Sequence, residues 1–165
     1  MELYTPQDTE QMTKKMRIEK GGICGQACLA VIEKSSIKCV LDNWKSMGLE
    51  FKGWSGWKQL REYLEKRNYQ VKLKRMSNLG TFNYNYFYIL RVQWLGEGTK
   101  KEKPFYGYGH WAEASANTHF IIVHQGNIFC NEAGGWFDDL DYYVRENNAV
   151  ITSAMEIKSK RSSNK

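Results

Sequence analysis

A thiol at the head of an apolar helix can act as a nucleophile, and one run places a thiol there: Gly21-Gly22-Ile23-Cys24-Gly25-Gln26-Ala27-Cys28-Leu29-Ala30-Val31-Ile32. Positions 24, 27, 28, 31 and 32 are Cys, Ala, Cys, Val and Ile, the i, i+3, i+4, i+7, i+8 stripe of an amphipathic helix. Cys24 tops that stripe. Unpaired amides and the macrodipole at a helix N-terminus favour negative charge, so the thiolate is expected to form easily there. The same position also suits a small core residue, because a free cysteine packs like a hydrophobe. A partner base has to decide.

The chain has three histidines, His110, His119 and His124. His119 opens the apolar run His119-Phe120-Ile121-Ile122-Val123, which the turn signal His124-Gln125-Gly126-Asn127 closes and Ile128-Phe129-Cys130-Asn131-Glu132 follows. In such a hairpin the residue opposite His119 falls between 131 and 133. Either Asn131 or Glu132 then lies beside the imidazole, depending on whether the turn carries a bulge. A Cys–His pair needs such a third polar group to hold the ring. Hairpin geometry therefore favours His119 as the base. His110, in Gly109-His110-Trp111-Ala112, has no clear strand after it, and His124 sits in the turn itself.

Cys24-Gly25-x-x-Cys28-Leu29-Ala30 at a helix start resembles the papain-like peptidases that process bacteriocin leader sequences. So does Gly53-Trp54-Ser55-Gly56-Trp57-Lys58-Gln59-Leu60 followed by Tyr69-Gln70-Val71. The stretch Glu19-Lys20-Gly21-Gly22-Ile23-Cys24-Gly25-Gln26-Ala27-Cys28-Leu29 is also similar to the start of Josephin-type deubiquitinases. The resemblance spans residues 19 to 135 and implies a nucleophile at Cys24, a base at His119 and an orienting amide at Asn131. It implies a papain-like α+β fold, with the nucleophile helix packed on a C-terminal antiparallel sheet. It also implies hydrolysis of a peptide or isopeptide bond through a thioacyl intermediate. One departure stands out: papain-like enzymes carry a glutamine five or six residues before the nucleophile, and here those positions are Glu19 and Ile18. The backbone N–H of Cys24 remains as one oxyanion donor; losing the second typically costs about 10²–10³ in rate. Gln11 reaches the site only if the N-terminal segment folds back.

Composition bounds the alternatives. At 165 residues and 42% hydrophobic content, the chain reads as one domain over 1–157 with a basic, disordered tail over 158–165. No run of 18 apolar residues exists, and the polar start Met1-Glu2-Leu3-Tyr4 lacks a secretory signal, so no membrane and a cytoplasmic location are expected. The net charge of +6 invites a nucleic-acid reading, but the tail alone carries +4 of it. Lys72 and Lys74 share one strand face, as a solvent side would, and no specific nucleic-acid partner is expected. The four cysteines, Cys24, Cys28, Cys39 and Cys130, are expected to be free, with Cys39 and Cys130 small buried residues. A zinc site from Cys24, Cys28, His119, His124 and Cys130 meets a geometric objection. Positions 119 and 124 of one strand point to opposite faces, so neither metal nor cofactor is expected.

Periodicity and caps predict helices over 6–16, 24–34, 39–47 and 56–67, then strands over 69–75, 86–94, 119–124 and 128–132. A short helix or turn at 137–144 and a closing strand over 149–157 complete the order. Residues 96–117 make a long aromatic-rich connection, and with Trp54 they are candidates to line a cleft, while Trp57 reads as core. The expected partner is a protein or peptide substrate. The same triad would serve an isopeptidase or a glutamine deamidase, and a non-catalytic protein-binding module on this fold is the rival from another class.

Overall fold

The computed structural model describes residues 3–19, 22–50, 56–75, 82–94, 118–146 and 149–160. Four helices come first: α1 (Thr9–Glu19), α2 (Cys24–Glu33), α3 (Ile37–Ser46) and α4 (Trp57–Lys66). There follow β1 (Tyr69–Arg75), β2 (Phe87–Trp94), β3 (Thr118–His124), β4 (Asn127–Cys130), β5 (Gly135–Phe137), α5 (Leu140–Glu146) and β6 (Ala149–Lys160). All pairings are antiparallel and the strand order is β1-β6-β2-β3-β4-β5. The class is α+β, as expected. None of the helices described is long and apolar enough to cross a membrane.

Local chemistry explains the helix ends. Ser36 caps α3 by accepting from the Cys39 amide at 3.1 Å, and Asp8 adds two more bonds, from the Ile37 and Lys38 amides at 2.9 and 3.0 Å. One carboxylate thus ties the lead-in of α1 to the start of α3. The start of α2 differs: its cap position is Ile23, which supplies no side-chain acceptor. The first-turn amides of α2 therefore gain no acceptor from the cap residue's side chain.

Alternation along the strands divides the core. Phe120 and Ile122 of β3 pack with α1, α2, α3 and α4, together with Ile89, Phe129, Met155 and Ile157 of neighbouring strands. Ile121 and Val123 face the other way, among Leu90, Ile128, Cys130 and Tyr143 of α5. The uninterrupted apolar run of β3 is thus explained by burial on both faces.

Three differences from the sequence reading concern strands. β6 lies between β1 and β2, and it continues to Lys160, so residues 158–160 of the expected tail are strand. β4 stops at Cys130, and a short β5, which the sequence reading lacked, pairs with it. Lys74, expected on a solvent face, pairs with the buried Glu156 at 2.8 Å, and Tyr88 donates to the same carboxylate oxygen at 3.0 Å. The expected cleft segment over 96–117, with His110, and Trp54 lie outside the described residues.

Candidate active site

Cys24 is the first residue of α2, half-buried and packed against the helix-side core. Its thiol lies at backbone amides of Phe120 and Gly25, which favour the thiolate, but burial outweighs them and pushes the pKa up to about 11. The expectation of an easily formed thiolate is corrected accordingly. Cys28, one turn below, is fully enclosed, and burial drives its thiol well above the ordinary range. All four cysteines are free; Cys130 is buried as expected, whereas Cys39 is exposed on α3. Its exposure follows from its place on α3, whose buried face is Ile37, Val40 and Trp44.

His119 is 3% exposed, and burial lowers its pKa to about 4. It immediately precedes Phe120, so one peptide unit separates it from the amide that meets Cys24. Its Nε2 lies 3.2 Å from the Sγ of Cys130, and that sulfur lies 3.6 Å from the hydroxyl of Tyr143. Burial raises both the Cys130 thiol and the Tyr143 phenol. Imidazole, thiol and phenol are consequently neutral near pH 7.

Asn131 is 4% exposed and follows β4 directly. Its amide nitrogen donates to Thr13 Oγ1 of α1 at 3.2 Å, and its Oδ1 has no hydrogen-bond partner among the described residues. The hairpin register explains this placement. His124 pairs with Asn127, Val123 with Ile128 and Ile122 with Phe129. Both turn residues have positive φ, 51° at Gln125 and 74° at Gly126, the signature of a bulge-free two-residue turn. The ladder runs only to Ile122 and Phe129, and Asn131 and Glu132 lie in the turn that leads from β4 to β5. Cys130 packs with Ile121, on the same face as His119. Cys130 as a neighbour of the ring is not among the expectations from sequence, although the Gln-Gly turn carries the parity that places it there.

No protein-family model matches this chain, and no curated protein matches it. The reading of the site accordingly rests on its own geometry.

The other candidates separate cleanly. His124 stacks on Phe87 with ring centroids 3.7 Å apart and donates from Nδ1 to the Tyr86 carbonyl at 3.0 Å. With Val31, Lys34 and Trp136 it lines a cavity of about 160 Å³ at the C-terminal end of α2, the far end from Cys24. Gln11 is solvent-exposed on α1, so it offers no oxyanion donor from where it stands. Gln26 is 1% exposed, and among the described residues neither its Oε1 nor its Nε2 has a partner. Two residues along a helix turn the side chain by about 200°, so Gln26 leaves the axis on the side away from Cys24. Trp57 packs edge-on against Phe120 at 4.9 Å and donates to Ser153 at 2.7 Å, the core role expected of it. Among the described residues no three His, Cys, Asp or Glu side chains gather as metal ligands.

Proposed function

We propose that this chain is a papain-like thiol hydrolase that cleaves a peptide or isopeptide bond in a protein substrate, with Cys24 as nucleophile and His119 as base. The observation that carries the reading is the seat of Cys24. Its thiol heads the central buried helix and meets the Phe120 amide, the peptide unit next to His119. The uncapped start of α2 supplies backbone N–H groups where an oxyanion would develop. Asn131, the expected third member, is held by Thr13 of α1 at 3.2 Å, and Cys130 is the residue that meets the ring.

Thiol and imidazole both rest neutral, so the proton moves during attack rather than before it. His119 takes the Cys24 proton as sulfur bonds to the substrate carbonyl carbon. The C–N bond then breaks, with that proton passing to the leaving amine. Water, deprotonated by His119, next attacks the thioester, and the C–S bond breaks to restore the thiol.

Trapping tests the reading. A peptidyl vinyl sulfone is expected to add once, at Cys24, with no adduct in Cys24→Ala and adduct formation at least tenfold slower in His119→Ala. A ubiquitin-derived electrophile offered beside it separates isopeptidase from peptidase. A second reading, a non-catalytic binding module, is favoured by the neutral buried state of both groups, and absence of any Cys24 adduct would favour it over the hydrolase.

A further inference from the structure

We propose that the cavity at the C-terminal end of α2 is a second site, one that binds a small aromatic monocarboxylate with its ring in the hollow and its carboxylate on the Lys34 ammonium. Size is the first argument. Protein interiors close-pack, and voids larger than a water molecule are few. This one holds about 160 Å³. An apolar cavity of about 150 Å³ stays dry and takes up one benzene ring.

The walls are the second argument. Three aromatic side chains that line the cavity direct their polar atoms to backbone carbonyls. Tyr4 donates from its hydroxyl to Ser35 at 2.8 Å, Trp136 from Nε1 to Tyr4 at 2.8 Å, and His124 from Nδ1 to Tyr86 at 3.0 Å. His124 is also stacked on Phe87, and Trp136 packs on Phe129 with ring centroids 5.6 Å apart. With Val31 as a further wall, the hollow is largely carbon surface held from the N-terminal segment, α2, β2, β3 and β5. Rings already fixed in place lose little freedom when a ligand enters.

Charge decides the polar end. Among the described residues that line the cavity, Lys34 alone carries a fixed charge, and none is an acid. No carboxylate of the described residues pairs with its ammonium, and its neighbour Glu33 is engaged by Arg67 at 2.8 Å. Lys34 stands exposed at the C-cap with φ of 52°, a conformation that glycine adopts without strain. The half-negative end of α2 lies close by, but a full ammonium charge outweighs it, so an anion is favoured. Lys34 stands about 15 Å along the helix axis from Cys24, and the site is independent of the hydrolase reading.

NMR titration of the intact chain tests the site, with phenylacetate, neutral phenylacetamide, phenethylamine and acetate as probes. Phenylacetate is expected to shift the Trp136 indole N–H and the Tyr4 and His124 ring signals along one saturating curve, with millimolar or tighter affinity. Phenylacetamide should bind about two- to fivefold more weakly, the scale of one exposed ion pair. Lys34→Gln should erase that difference and leave phenylacetamide affinity unchanged. Phenethylamine should bind most weakly of the three ring probes, and acetate should leave these signals in place. Val31→Phe should fill the hollow and abolish binding of every ring probe; Lys34→Gln, at an exposed position, carries the test if that variant loses its fold. No saturating shift with phenylacetate overturns the site. Tighter binding of phenethylamine than of phenylacetate overturns the anionic ligand, and so does a preference for phenylacetate that survives Lys34→Gln.

Discussion

Two effects act on the Cys24 thiol in opposite directions. Helix N-terminal amides and dipole are worth about 0.3–1 kcal/mol to an anion, less than a tenfold change in ionisation. Enclosure by the sheet moves the pKa up to about 11, so desolvation wins. Iodoacetamide at pH 7.5 should therefore label exposed Cys39 first. Cys24 labelling should keep accelerating above pH 9, as read by peptide mass spectrometry. Cys24 labelling ahead of Cys39 at neutral pH would restore the easily formed thiolate. His119 supplies the matching test in acid. Its folded pKa of about 4 lies below the 6.5 of an unperturbed imidazole, so the unfolded chain binds the proton first as pH falls. Stability contributed above pH 6.5 is lost progressively toward pH 4, by about 3 kcal/mol in all. Urea unfolding at pH 7.0 and 4.5 should show that slope in the intact chain and a shallower one in His119→Gln.

The β3–β4 hairpin carries His119, and the α2–α4 contact secures the far end of the helix that Cys24 heads. Gly126 has φ of 74° with open space around its Cα, so Gly126→Ala meets backbone strain without a clash and should cost about 1 kcal/mol by thermal unfolding. Glu33, near the end of α2, accepts from the Tyr63 hydroxyl and from Arg67 Nε at 2.8 Å; Tyr63 also accepts from Asn43 at 3.2 Å. Tyr63→Phe leaves Glu33 and Asn43 each short of a bond inside the structure, and a loss of about 1–3 kcal/mol is expected in urea. A loss under 0.5 kcal/mol would mean that water replaces the hydroxyl there. These elements were readable in advance because their signals are local. The stripe of α2, the Gln-Gly turn and the His119–Val123 run each sit within a dozen residues. That Cys130 meets His119 has no such local signal, because one residue of register decides it and the sequence admits both a bulged and an unbulged turn.

β6 is paired on both sides, with β1 and with β2, although it comes last in the chain. Ending the chain after residue 148 would strip both neighbours of a ladder and remove Met155 and Ile157 from the helix-side core. Such a truncation should show no cooperative melt by circular dichroism, whereas a cooperative melt near that of the intact chain would show β1 and β2 to be self-sufficient. The central place of β6 had no local signal, since alternation marks a strand but not its neighbours. The same division runs through the protein. Residue order determined the helices and the longer strands, the buried stripe beneath Cys24 and the strand that holds His119, because those follow from spacing along one segment. Folding decided that Cys24 rests protonated, that sulfur rather than an amide meets the imidazole and that Lys74 joins a buried carboxylate. Desolvation and hydrogen-bond choice depend on atoms brought from distant segments, and no spacing along one segment encodes how many of them will arrive.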